Sequence, residues 1–388
     1  MTPADLARKW INREQTPEDG IPSWLLVVMD VGWTERLLGE PEGSYFTDPV
    51  GFELRQKRVL RTAFLDQLVC VPQHQVASGF GGRMPHGSFE RDGIRIDGPE
   101  GVKEHYERFL IPALERSVAD FPANASAIRE QFLAGIRQTQ DVLGPDCLRV
   151  PYEHTQCKPV FRYGEYGYES WFMFYATYPE LAGEAFRLEA DYAMLQNGLL
   201  AQAIVDEGLP RLVRSDHDMT DSRGSLVSVA SLDRLYFPEL ERAMGPLIDR
   251  GIGLIWHCDG NVNDFIPRLL DIGFVGFQGF QYECGVHYPA VARMTTRKGE
   301  PLTLIVGGSV TTTMVHGTPD DVRREMDWLV ENSGDSYLAL GGTSSICPGT
   351  PWGNIDALLE SMLHYQEHGK AGLRQRVGCE RPFGRRPT

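Results

Sequence analysis

Two short runs in this sequence concentrate side chains that titrate or ligate. Asp216-His217-Asp218 sets two carboxylates around an imidazole, and His257-Cys258-Asp259-Gly260-Asn261 puts an imidazole, a thiol, a carboxylate and a carboxamide within five positions. Imidazole beside carboxylate can pass protons near neutral pH or hold a divalent ion. In an extended segment His257 and Asp259 share one side and Cys258 faces the other. Asp218, His257 and Asp259 are therefore the expected catalytic groups. His257 and Asp259 form the expected core of any metal site, with Glu283 and Cys347 as further ligand candidates. Asp216, Asn261, Gln278, Gln281 and Ser344 are expected to contact substrate. Each has a plainer reading. Asp216 to Asp218 would also serve as a helix cap or solvated loop, and His257 as a hydrogen-bonded packing residue. The polar residues from Gln278 to Cys284, and the run Gly341-Gly342-Thr343-Ser344-Ser345, would also serve as ordinary loop and turn.

Such groups act together only if separate elements bring them to one place. Short apolar runs read as buried strands at Leu148 to Tyr152, Arg211 to Ser215, Gly253 to His257, Gly273 to Phe277, Leu302 to Val306 and Ser336 to Leu340. Earlier candidates are Trp24 to Met29 and Leu68 to Val71. Helical patterns lie between them. One runs from Pro179 to Glu207, with an apolar stripe through Leu181, Phe186, Ala190, Leu195 and Leu199; another runs to Val330 from Thr318, an N-cap before Pro319. About eight strands alternating with helices predict an α/β fold, a single (β/α)8 barrel whose site lies at the C-terminal strand ends. The alternative is an open doubly wound sheet. Against it, the glycines Gly79, Gly81 and Gly82 lack the strand-to-helix setting of a dinucleotide site. The expected organisation is an N-terminal extension over 1–20, the barrel over 21–372, and a flexible tail over 373–388 whose Arg- and Pro-rich part runs from Arg374 to Thr388.

Composition narrows the partners. The net charge of −15 opposes binding to nucleic acid or to an anionic membrane. The apolar run from Trp24 to Val31 is too short for a membrane span. Seven scattered cysteines, an odd number, fit reduced thiols in a cytoplasmic protein. The expected partners are a small-molecule substrate and a second copy of the chain in a homodimer.

Several of these segments also carry a likeness. The stretch Trp256 to Gln281, WHCDGNVNDFIPRLLDIGFVGFQGFQ, resembles the H-x-C-G-N segment and following helix of methyltransferase-type members of the uroporphyrinogen decarboxylase superfamily. Asp218, Gly224, Leu226 and Ser228 are similar to that superfamily's aspartate and GPLIS segment. His316-Gly317-Thr318-Pro319 resembles its GTPEEV helix start, and Pro348-Gly349-Thr350-Pro351 with Asn354 and Ile355 resembles PGTPPENI. The likeness extends from Ile21 to Gly372. It implies a (β/α)8 barrel of the uroporphyrinogen decarboxylase type, and zinc held by a His and two Cys.

The chain departs from that ligand set. His257 is kept, but Asp259 stands at the first Cys and Ser344 at the second, with Cys258 and Cys347 out of register. The expected cofactor is accordingly zinc or another divalent metal, or none. The arginine-bearing N-terminal motif of true uroporphyrinogen decarboxylases has no counterpart near Met29-Asp30-Val31-Gly32-Trp33. With no corrinoid-binding D-x-H-x-x-G run in the sequence, a corrinoid would come only from a separate partner protein. The resemblance implies an enzyme moving a one-carbon group between a small substrate and a thiol or corrinoid carrier. The alternatives are a metal-free decarboxylase or lyase using Asp218, His257 or Asp259, and a non-catalytic binding barrel.

Overall fold

A computed structural model describes residues 1–72, 85, 87–151 and 156–373. Gly79, Gly81 and Gly82, the tail from Arg374 to Thr388, and Tyr152 at the end of an expected strand lie outside the described residues. The strands are β1 (Phe64–Leu65), β2 (Phe89–Arg91), β3 (Ile94–Ile96), β4 (Leu148–Arg149), β5 (Leu212–Asp216), β6 (Gly253–His257), β7 (Gly276–Gln278), β8 (Thr303–Gly308) and β9 (Tyr337–Gly342). Strands β5 to β9 pair in chain order as a parallel sheet, each linked to the next through helical connections. Isolated parallel bridges carry the order onward. Ser23 bridges Leu340, Trp24 bridges Phe64, and β1 pairs in parallel with β4. Strands β2 and β3 form a separate antiparallel hairpin around Asp92-Gly93, both at positive φ.

The fold is thus mixed α/β with a parallel sheet, and the closed barrel expected from sequence is not seen: among the described residues, no strand pairing joins β4 to β5. Packing nevertheless brings those two strands together. Leu148 of β4 and Leu212 of β5 belong to one buried cluster with Trp24, Phe64, Ile255, Ile305 and Ala339. A side chain also spans the gap, where Gln156 Nε2 donates to the Arg214 carbonyl at 3.1 Å.

Three expected strands shift, the first being Gly273 to Phe277, which moves to Gly276–Gln278 because Gly273, at φ +119°, ends the helix Ile266–Ile272. Leu68 to Val71 forms none, because Asp66 interrupts the apolar run and the buried pair before it, Phe64 and Leu65, takes the place beside β4. Trp24 to Met29 makes only isolated bridges, at Trp24 and Val28. The helix Pro179–Asp206 forms as read, and its buried face shares Phe186 and Ala190 with the expected stripe. Leu195 departs from it at 40% exposure, and Ala182, Ala193 and Leu200 complete the face turned to the core. Alanines let the helices Ile111–Leu143 and Phe237–Ile248 approach closely, and large side chains at those positions would hold them off. The helix Pro319–Glu331 starts at Thr318 with a reciprocal cap through Asp321. Thr2 and Asp5 cap the helix Pro3–Ile11 in the same way. Trp10 of that helix, within the 1–20 stretch, is buried and stacks on Phe64 at 4.7 Å.

Candidate active site

The register of two strands makes the site. Strand β5 pairs with β6 so that Asp216 lies opposite His257, and both leave the sheet at its C-terminal edge. The His257 ring is buried, and its Nδ1 lies 3.1 Å from the Gln278 carbonyl oxygen. A carbonyl only accepts, so Nδ1 carries the proton and donates, and Nε2 is turned the other way. Nε2 lies 4.0 Å from Asp216 Oδ1 and 3.8 Å from Asp259 Oδ1. Gly279, at φ +80°, lets the chain pass close by, since a Cβ there would stand 2.6 Å from His257 Nδ1.

Each carboxylate has its own anchor. Arg214, buried one turn of the pleat below Asp216, donates from Nη1 to Asp216 Oδ2 at 3.0 Å and to Gln278 Oε1 at 3.2 Å. Its Nε is paired with the fully buried Asp66, which also accepts from Trp24 Nε1 at 3.3 Å. Asp218 is exposed, and its Oδ1 accepts from the Asp259 amide at 2.9 Å. The Tyr163 hydroxyl donates to the Asp218 carbonyl at 2.8 Å. Asp259 accepts from Gln281 Nε2 at 3.3 Å and from Ser344 Oγ at 3.4 Å.

This crowding sets the protonation. Burial alone would strip the proton from His257, but Asp216 and Asp259 outweigh it and raise the imidazole above its ordinary value. Burial, with Asp218 and Asp216 nearby, raises the Asp259 carboxyl, although His257 pulls it the other way. The Cys258 thiol points elsewhere, 3.3 Å from the Met219 amide and 3.4 Å from Thr220 Oγ1, and burial pushes it up to about 12.

Of the residues singled out from sequence, Asp216, Asp218, His257, Asp259, Gln281 and Ser344 come together. Gln278 is buried under His257, with its amide spent on the Gly342 and Thr343 carbonyls and on Arg214. Asn261 accepts from the Asn263 amide within its own loop. Glu283 accepts from Thr311 Oγ1 at 2.5 Å, Cys347 is exposed, and Asp259 is held by Gln281 and Ser344; none of the three belongs to the group whose ligand atoms lie within 4.8 Å of one another, which is Asp216, Asp218 and His257, so of the expected metal core only His257 is in it. Arg214 and Asp66 escaped sequence reading. The available signal was a charge inside an otherwise apolar strand, which burial demands be paired. Tyr163 left no such signal.

A parallel α/β chain with titratable groups gathered where strands end is the architecture of an enzyme site. The family model described as Uroporphyrinogen decarboxylase (URO-D) matches residues 165–365, just over half of the chain, and the chain belongs to that family. No curated protein matches it. Among solved structures it is similar to a methyltransferase from Methanosarcina mazei, with 17% identity and a TM-score of 0.55, over 94% of this chain and 99% of that one. At that identity the likeness concerns the fold. Among the described residues, no helix is long and apolar enough to cross a membrane.

Proposed function

We propose that this protein is a methyltransferase-like enzyme on a (β/α)8 barrel, moving a one-carbon group between a small substrate and a thiol or corrinoid carrier. The observation that carries the reading is the charge of the site. Asp216, Asp218 and Asp259 gather about His257, and the guanidinium that reaches Asp216, that of Arg214, is also engaged by Asp66 and Gln278. Such a site repels a polycarboxylated porphyrinogen and suits a neutral or cationic methyl donor. The methyltransferase among its structural neighbours agrees with this choice.

The chemistry asked of these residues is modest. An acceptor thiol gives its proton to His257 Nε2, which the carboxylates stabilise as imidazolium. The thiolate forms a sulfur–carbon bond as the methyl group's bond to its carrier breaks, and the electron pair leaves with the carrier. A divalent ion, when bound, would occupy His257 Nε2 and would itself lower the pKa of a thiol brought to it, with the thiol's proton then passing to the neighbouring Asp259 carboxylate. With methylcobalamin and a small thiol, the purified chain is expected to consume the methyl–cobalt chromophore and yield a methyl thioether, and His257→Gln to stop both. Failure of every thiol tested, with carbon dioxide released from a carboxylated compound, would favour a second reading. Asp259, its carboxyl raised by burial, would then be the proton donor of a decarboxylase.

A further inference from the structure

We propose that Asp216, Asp218 and His257 form a divalent-cation site of oxygen and nitrogen donors, which replaces the thiolate zinc site of the family's methyltransferase-type members. It goes beyond the proposed reaction, because ion binding is measured without turnover. One oxygen of each carboxylate and one ring nitrogen of His257 lie within 4.8 Å of one another. Ligands bound at about 2.0–2.2 Å around one ion stand roughly 3–4 Å apart, so small side-chain rotations close the set.

Acidic residues often cluster without binding anything; the independent sign here is His257. Its side chain is only 9% exposed and its Nδ1–H is fixed on a backbone carbonyl, so Nε2 is aimed at Asp216 and Asp259 across 4.0 and 3.8 Å, beyond hydrogen-bond distance, and an ion entering there displaces any proton the carboxylates hold on it. A histidine so held is oriented as metal-ligating histidines are. The next layer is built likewise. Arg214 fixes Asp216 through Oδ2, the Asp259 amide fixes Asp218 through Oδ1, and Gly279 clears space against the ring.

Thiolate ligation does not fit these residues. Cys258 is turned toward Met219 and Thr220, and Cys347 is exposed near the Ser345 carbonyl. One imidazole and two carboxylates suit zinc, cobalt or manganese rather than a soft ion such as Cu(I). They leave coordination positions open for water or substrate.

Cobalt(II) is the probe. The full chain, stripped with chelator and dialysed, is titrated and read by visible absorption and by calorimetry. The expected result is one ion per chain, displaced by zinc, without sulfur-to-cobalt charge transfer. His257→Gln, Asp216→Asn and Asp218→Asn are each expected to weaken binding tenfold or more, and Cys258→Ser and Cys347→Ser to leave it unchanged. Asp218 is exposed, so Asp218→Asn keeps the test valid if His257→Gln fails to fold. A charge-transfer band, loss of binding in a Cys variant, undiminished binding in Asp218→Asn, or no saturable binding by the folded chain overturns the proposal.

Discussion

His217 and His257 end neighbouring strands, joined where the His217 amide donates to the His257 carbonyl at 3.1 Å, yet their environments push them in opposite directions. His217 points into rings. It lies edge-on to Phe161 and stacks on Tyr236, and its Nε2 accepts from the Phe161 amide at 2.8 Å. Burial and Lys158 push it down to about 3. His257 is the more completely enclosed by area, yet its carboxylates raise it. Enclosure disfavours charge in both; the sign of the neighbours decides which keeps a proton. One imidazole is a neutral structural acceptor and the other a poised chemical group.

The largest expected effect is at His257. His257→Gln should lower turnover by on the order of a hundredfold to ten-thousandfold, the range of a lost acid–base group, with the far-ultraviolet circular dichroism unchanged. Turnover within tenfold of the unmodified protein would break the comparison at its functional end.

A third enclosed group extends the rule to acids. Glu325 accepts from the Tyr282 hydroxyl, from Thr313 Oγ1 at 2.7 Å and from the Ser309 amide at 3.2 Å, and burial raises it to about 7. Between pH 4.5 and 7 the unfolded chain releases this proton while the folded chain keeps it, so stability falls as pH rises through that window. The loss is about 3 kcal/mol. Glu325→Gln should remove that slope, and urea melts at pH 4.5 and 7.5 measure it. Parallel stability curves for the two proteins would show that Glu325 titrates as an ordinary carboxyl.

How much of this was legible from residues depends on distance along the chain. Strand Gly253–His257 keeps its expected bounds because its apolar run stops where the polar cluster begins. Strand Phe64–Leu65 was misplaced because two residues make no periodicity. At the site, His257 and Asp259 were readable as a local pattern. Their meeting with Asp216 depends on the β5–β6 register, and the Arg214–Asp66 pair joins positions 148 apart. No local spacing encodes either. For the same reason Glu283 and Cys347 read as plausible as Asp216, though Glu283 is hydrogen-bonded to Thr311 and Cys347 is exposed.

The smallest effect belongs to His217, and it sharpens the comparison from the structural side. His217→Leu keeps the volume and the ring contacts' apolar character but deletes the acceptor of the Phe161 amide. An orphaned buried donor costs about 2 kcal/mol. His217→Gln, whose carbonyl oxygen can reach the same amide, should recover part of that loss. Both variants retain the backbone bond to the His257 carbonyl and both leave the Asp216, Asp218 and His257 side chains in place. Cobalt affinity and turnover measured well below the melting temperature are therefore expected within about twofold of the unmodified protein, a range set by the near-neutrality of changes outside the reacting groups. If His217→Leu unfolds at the same denaturant concentration as the unmodified chain, the Phe161 amide has another partner and His217 is not the anchor. If it keeps its stability and loses cobalt binding instead, the two histidines work as one site, and the division between them fails.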